Sequence, residues 1–286
     1  MGRLLEEVTA DLARGMLDDL SAVRYPSNVA AQIINGRIFP DGSCGRRDGS
    51  IRLHPSALGL VGYGGIEFTT AAGVAQLIAI VDDAFWVSTD GGVTWVDNTG
   101  ANTLDEAYYD FATMRVGATN YLFAANGAAN IWRWDGTTLD ATPNAPSDVT
   151  YLAVFHGRLY AAKHTSPIIQ ASKIANPAIW AAPDGITVQI ITHDGNDLTG
   201  LYQVGPHLLV FDHHATSYID GFGEQTLVTV SGAEGFSRSV GCSGFRTIRG
   251  VGENQVCWLS ERGIEYYRRA AASSCSVAAS RTFSKA

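Results

Sequence analysis

The chain has 286 residues, of which 17% are charged and 10% are aromatic, and it contains 31 glycines. Its formal net charge is −8 and its basic residues are scattered, which excludes a surface built mainly to grip nucleic-acid phosphates. Abundant glycine and aromatic residues, with only three methionines, favour strands joined by tight turns over a helical bundle.

Neither a membrane segment nor a metal site is expected. The longest apolar stretch, residues 73–81, is too short to cross a bilayer. Glu6, Glu7 and Asp11 stand where a signal peptide needs a basic start and an apolar core. The four cysteines, Cys44, Cys242, Cys257 and Cys275, lie far apart without a CxxC spacing. We therefore expect a soluble protein that holds no metal and no cofactor.

The first 54 residues are predicted to form a helix and an arm. Residues 4–20 carry apolar side chains at helical spacing, which favours one amphipathic helix. Residues 31–39 predict a single strand, because a Pro-Asp-Gly turn follows it. The rest of the arm is polar and rich in turn residues, so we do not expect it to fold alone.

From about residue 55 onward, short runs of β-branched and aromatic residues are separated by tight polar turns. Five hairpins are predicted, with turns at residues 82–83, 126–127, 156–157, 212–214 and 261–262. They recur at intervals of roughly 30 to 55 residues, which is close to the length of a four-stranded blade. We therefore predict an all-β protein, a β-propeller of about five blades over residues 55–268, with an Ala- and Ser-rich extension over 269–286. The strand at 31–39 is predicted to complete the last blade and close the ring.

The sharpest motif is an Asp-box, S-x-D-x-G-x-T-W, which the sequence matches at every fixed position. The matching residues are Ser88, Asp90, Gly92, Thr94 and Trp95. The Ser and Asp side chains can bond turn amides, glycine supplies a positive φ, and the Trp packs between layers. The motif predicts a propeller hairpin with a structural role, because it lies at the periphery of the proteins that carry it.

Catalytic signatures are weak in this sequence. Asp-boxes occur in sialidases, but the early Phe-Arg-Ile-Pro motif of that class is absent, so a sialidase-like hydrolase is kept only as an alternative. There is no G-x-S-x-G elbow, no dinucleotide-binding loop and no Walker loop. We therefore predict that the chain is not an enzyme, and we assign no catalytic residue. Another alternative is a receptor- or glycan-binding propeller at a tail tip or cell surface, using exposed aromatic side chains on one face.

Several short segments share their order with the motifs of a known family. They are residues 176–180 (NPAIW), 208–212 (LLVFD), 217–221 (SYIDG), 235–240 (GFSRSV) and 256–266 (VCWLSERGIEY). This order resembles the propeller of tailed-bacteriophage virion proteins. Residues 24–26, 32–38 and 41–50 resemble the arm that opens these proteins and the podovirus tail-nozzle proteins.

The resemblance implies a structural virion protein, a propeller component of the tail nozzle or hub or of the head-to-tail assembly. It implies a ring of copies of the chain, with a hexamer as one arrangement, and partners among portal, adaptor or tail proteins. The protein would be made in the host cytoplasm and end in the virion tail. DNA would pass without specific binding, because an acidic wall repels phosphate. The arm would bind a neighbouring subunit of the assembly. Its candidate contact residues are Arg24, Tyr25, Asn35, Arg37, Arg46 and Arg47.

Overall fold

A computed structural model describes residues 56–128, 130–190, 197–220, 228–230, 240–252 and 255–268, together with two short strands nearer the N-terminus. The chain divides into two units, Met1–Arg52 with Ser284–Ala286, and Leu53–Phe283. In the described residues, no helix is both long and apolar enough to cross a membrane. The predicted N-terminal helix and the C-terminal extension lie outside the described residues.

The two short strands of the first unit form a hairpin. Strand β1 (Gly36–Ile38) pairs antiparallel with β2 (Cys44–Arg46). Of the strand predicted over residues 31–39, the structure describes residues 36–38 as β1, paired with β2, and its predicted pairing with the last blade stays a prediction. A partner so close in the sequence needs only a short loop, and closing a short loop costs less entropy than a long-range pairing.

The second unit is built from antiparallel sheets, which are the blades of a five-bladed propeller. Blade 1 contains β3 (Gly62–Thr69), β4 (Ala75–Val81), β5 (Ala84–Ser88) and β6 (Val96–Asp97). Blade 2 contains β7 (Asp110–Val116), β8 (Thr119–Ala125), β9 (Trp132–Trp134) and β10 (Leu139–Ala141). Blade 3 contains β11 (Tyr151–Phe155), β12 (Arg158–Ala162), β13 (Ile168–Ala171) and β14 (Ile186–Gln189). Blade 4 contains β15 (Leu198–Val204), β16 (His207–Asp212), β17 (Thr216–Asp220) and β18 (Val228–Val230). Blade 5 contains β19 (Arg249–Gly252), β20 (Gln255–Ser260) and β21 (Gly263–Arg268), after a 3-10 turn at Phe245–Thr247.

Within each blade the strands pair in chain order, so every connection is local. All five predicted turns join paired strands, and the prediction of a propeller with about five blades is confirmed. His156 and Gly157 show why the turns are tight. Their φ angles are +46° and +71°, as a two-residue type I′ hairpin requires.

Four buried apolar clusters join neighbouring blades, one at each junction from blade 1 to blade 5. Large rings dominate the burial at two of these junctions. The rings of Phe85 and Trp134 lie 5.2 Å apart between blades 1 and 2, and those of Phe211 and Trp258 lie 5.1 Å apart between blades 4 and 5. Since aromatic rings bury the most surface per residue, these contacts contribute strongly to the packing of the blades.

The junction between blades 5 and 1 is built differently, because none of the four clusters spans it in the part of the chain that the structure describes. Trp258 and Tyr267 lie on the face of blade 5 that packs on blade 4. Leu259 and Ile264 are cross-strand partners on the opposite face, and they are 42% and 58% exposed. Strand β21 has one paired neighbour, β20, among the described strands. Among the described strands, blade 5 therefore presents an apolar face and, along β21, a sheet edge that pairs with no further strand.

Candidate functional site: the central channel

The centre of the propeller is a cavity of about 860 Å³. The first strand of every blade lines it, namely β3, β7, β11, β15 and the start of β19. Because blades 1 to 4 each contain four antiparallel strands, the first strands run in the same direction, and their first residues lie at the same end of the cavity. We call this end the mouth and define it by Tyr63, Tyr108, Asp110, Arg246 and Arg249.

Glycines on the first strands let side chains of neighbouring blades approach closely. A Cβ atom at Gly64 of β3 would lie 2.7 Å from the Phe111 ring of blade 2. A Cβ atom at Gly200 of β15 would lie 2.5 Å from the Ile248 side chain, which precedes blade 5. Both distances are shorter than van der Waals contact, so a Cβ atom at either position would force the neighbouring side chain to move.

Two residues from blades that are not neighbours meet at the mouth. The guanidinium carbon of Arg246, before blade 5, lies 3.8 Å from the ring centroid of Tyr108, before blade 2. The Tyr108 ring in turn makes an edge contact with Tyr63 of blade 1, with centroids 5.9 Å apart. The Tyr63 hydroxyl donates a hydrogen bond to Glu106 Oε2 at 3.4 Å. This cation–π contact reaches across the mouth and narrows it.

Asp110 is the half-buried carboxyl group of the mouth. Its oxygens accept hydrogen bonds from the backbone N–H groups of Leu152, at 2.9 Å, and Phe111, at 3.0 Å. Burial raises the pKa of Asp110 to about 7, and this outweighs the two hydrogen bonds and the charge of Arg249, which lower it. The carboxyl group therefore changes its charge near neutral pH. Burial, and secondly the charge on Asp110, raise the pKa of the adjacent Tyr151.

The predicted Asp-box residues begin with Ser88 at the end of β5 and continue through the loop that leads to β6, away from the channel lining. Ser88 Oγ donates to Asp90 Oδ1 at 2.8 Å, and the backbone N–H of Gly92 donates to Ser88 Oγ at 2.9 Å. Thr94 donates to Asp90 through its hydroxyl at 2.6 Å and its backbone N–H at 2.9 Å. Trp95 Nε1 donates to the carbonyl of Gly92 at 2.9 Å.

Hydrogen bonds from Thr94, first from its side chain and then from its backbone, lower the pKa of Asp90 to about 2, with a further contribution from Ser88. The glycine at 92 has a φ of +96°, which this turn needs. Asp90 is therefore the ionised centre of a rigid loop at the edge of blade 1.

The predicted arm residues cannot be placed in a site. Arg24, Tyr25, Asn35 and Arg47 lie outside the described residues, as do Cys44's side chain and Cys275. Arg37 lies in β1 and Arg46 in β2, where the structure describes the backbone only. The residues of the mouth were not predicted from the sequence. The available signal was a charged residue directly after two aromatic residues, in the 108–110 segment that leads into β7.

Within the described residues, no group of three His, Cys, Asp or Glu side chains could hold a metal ion. Asp212 instead accepts hydrogen bonds from the backbone N–H groups of His214 and Ala215, which fixes the turn after β16. Cys242 is a buried free thiol whose Sγ donates to the carbonyl of Gly244 at 3.3 Å. Burial raises the pKa of the Cys242 thiol, which favours its neutral form, and the side chain belongs to the apolar cluster between blades 4 and 5.

No protein-family model and no curated protein sequence matches the chain. The fold is similar to a chain in the crystal structure of BBS1N in complex with ARL6DN, soaked with lead, with a TM-score of 0.51 and 10% identity over 75% of this chain and 68% of that one. YCF48 from Cyanidioschyzon merolae matches with a TM-score of 0.45 and 12% identity, over 79% of this chain and 73% of that one. A chain of the mitotic checkpoint complex matches with a TM-score of 0.44 and 11% identity over 72% of this chain, and only 62% of that chain is spanned. The first likeness supports the propeller fold alone.

Proposed function

We propose that the chain is a structural, non-enzymatic propeller of a tailed-bacteriophage tail, in the nozzle or hub or in the head-to-tail assembly. The segments that carry the family resemblance support this proposal by their position. Residues 208–212 lie in β16, 217–220 in β17, and 256–266 in the β20–β21 hairpin. Three of the five motif segments thus fall on the central hairpins of two adjacent blades.

The observation that carries the proposal is the exposed face of blade 5, defined by Leu259 and Ile264. These two exposed apolar side chains are neighbours on one sheet face, and a contact with another protein would bury them. The open edge of β21 adds a row of backbone groups that a second chain can pair with. We assign this face to a second copy of the chain, because a closed ring needs one head-to-tail contact that repeats on every copy.

In such a ring, DNA would pass through the lumen between copies rather than through the propeller. The contact between Arg246 and Tyr108, at 3.8 Å, crosses the mouth of the propeller channel and leaves no room there for a duplex. The net charge of −8 suits a wall that DNA slides past, because acidic surfaces do not retain phosphate.

Electron microscopy of the purified chain tests the proposal, with rings as the expected result. The double change Leu259→Asp and Ile264→Asp should convert rings to single copies with an unchanged circular dichroism spectrum, since both side chains are exposed. Ile168→Asp is the matched control, because Ile168 is also a strand residue and is 42% exposed.

Deleting residues 1–50 should also abolish the ring while leaving a folded propeller, because the arm is expected to grip a neighbour. A wild-type chain that stays monomeric at high concentration contradicts the proposal, and so do rings that survive the double change. Turnover of a fluorogenic sialic-acid substrate would contradict the non-enzymatic role.

A further inference from the structure

The wall of the channel offers backbone hydrogen-bonding groups to a ligand. Each first strand pairs with one neighbour in its own blade, so its other edge faces the cavity. The N–H of Leu152 on β11 shows how such a group is used, since it donates to the Asp110 carboxylate at 2.9 Å. Free strand edges of this kind suit an extended peptide, which can satisfy them with its own backbone.

The mouth also contains two arginines, Arg246 and Arg249, that are exposed. Neither forms an ion pair with a carboxylate among the residues that the structure describes. The Arg246 guanidinium lies against Tyr108 at 3.8 Å, and Arg249 donates one hydrogen bond to the carbonyl of Ile248 at 2.8 Å. When the face of a guanidinium packs against an aromatic ring, the N–H groups at its edge remain available to a carboxylate.

The charged side chains that line the cavity sum to a formal charge of +1, although the chain as a whole is acidic, and Glu106 just outside the lining keeps its negative charge. The chain has a net charge of −8, whereas the charged side chains lining the cavity are Arg246, Arg249 and Asp110. The nearby Glu106 is hydrogen-bonded to the Tyr63 hydroxyl. A concave site with locally positive charge concentrates anionic ligands, even on an acidic protein.

We propose that the mouth and channel bind an acidic peptide segment of another protein. An acidic side chain of this segment is held by Arg246 and Arg249, its backbone pairs with the open edges of the first strands, and Tyr63 and Tyr108 contact its side chains. A cavity of about 860 Å³ is within the range of specific ligand sites. The inference goes beyond the proposed function and does not depend on ring formation.

A nucleic acid fits the mouth less well than a peptide. Binding to a nucleic-acid backbone needs a stripe of basic residues that neutralises several phosphates, and the cavity lining supplies two arginines. The open strand edges also offer donors and acceptors along the channel, which an extended peptide backbone can use in register. The observations therefore favour a peptide.

Fluorescence anisotropy with a fluorescein-labelled octapeptide of alternating glutamate and glycine tests the inference at low ionic strength. We expect saturable binding that weakens as salt is added. The double change Arg246→Gln and Arg249→Gln should weaken binding at least about tenfold, because each charge-assisted contact contributes more than a neutral one. Tyr108→Leu should also weaken it. Arg115→Gln is the matched control, because Arg115 lies on β7 outside the cavity lining and is exposed.

Any one of the following results would overturn the inference. The first is no binding of the acidic peptide to the wild-type chain. The second is equal binding to the double arginine variant, provided that its circular dichroism and melting temperature match those of the wild type. The third is equal binding of a glutamine–glycine octapeptide, or equal competition by an oligothymidylate of the same length. Binding that depends on both arginines and on the peptide charge supports it.

Discussion

The Asp110 carboxylate on the first strand of blade 2 accepts a hydrogen bond from the backbone N–H of Leu152 on the first strand of blade 3, at 2.9 Å. This bond joins two blades at the channel wall, where Leu152 has no strand partner on that side. The carboxyl group is also a titratable group of the mouth, with a pKa raised to about 7 by burial. One side chain therefore links the packing of two blades to pH.

Asp110 should make the folded state less stable as the pH rises from about 4 to 7. Its pKa is raised to about 7 in the folded chain, whereas in the unfolded chain it has the ordinary value of 3.8. The folded state thus binds more protons in this window, so its stability is highest below the unfolded pKa and is lost as the pH rises through 7. Urea unfolding at several pH values in this range measures how the free energy of unfolding changes with pH. This change should be smaller for Asp110→Asn than for the wild type, and the asparagine keeps a hydrogen-bond acceptor for the N–H of Leu152. An equal slope would contradict the assignment.

Asp90 should stabilise the loop of blade 1 with the opposite pH dependence. Its pKa is lowered to about 2 by the hydrogen bonds from Thr94 and Ser88, so its contribution is present above pH 4 and is lost as the pH falls towards 2. Asp90→Ala should lower the melting temperature at pH 7 more than Asp83→Ala does, because Asp83 is an exposed residue of the β4–β5 turn. Thermal unfolding by circular dichroism measures the difference, and equal melting temperatures would count against this role.

Gly64→Ala should destabilise the propeller by about 1–3 kcal/mol, because the added Cβ would lie 2.7 Å from Phe111 and the ring would have to move. Gly62→Ala on the same strand is the matched control. A Cβ atom at Gly62 has nothing within 4 Å, so its effect should stay within about 0.5 kcal/mol. Urea denaturation measures the change in the free energy of unfolding for each variant. Similar changes would show that the effect comes from strand propensity and not from the contact between blades.

Gln76→Leu should lower the free energy of unfolding by about 1–3 kcal/mol, because it removes the hydrogen-bond acceptor of a buried indole N–H. Trp134 Nε1 donates to Gln76 Oε1 at 2.8 Å, and Gln76 Nε2 donates to the carbonyl of Gly136 at 3.0 Å, so the amide links blades 1 and 2. In a Trp134→Phe background the same change should cost less. A double-mutant cycle by urea unfolding measures the coupling energy between Gln76 and Trp134. If the effects of the two changes on the free energy of unfolding are additive, the two side chains are not coupled and the prediction is wrong.

The blade hairpins were predictable from the sequence, although their places within the blades were not. The turn at 156–157 joins the first and second strands of blade 3, whereas the other four predicted turns join second and third strands. Local residues specify that a hairpin forms, because a positive φ depends on the residues in the turn itself. Which position a hairpin occupies depends on how whole sheets pack around the axis.

The sequence by itself determined the all-β class, the turn positions and the Asp90 loop, because each depends on residues that are close along the chain. The tertiary structure alone decided the mouth, where Arg246 meets Tyr108, and the exposed face of blade 5. Residues so far apart in the sequence come together only when the blades close around one axis. A side chain's exposure likewise depends on whether a neighbouring blade covers it.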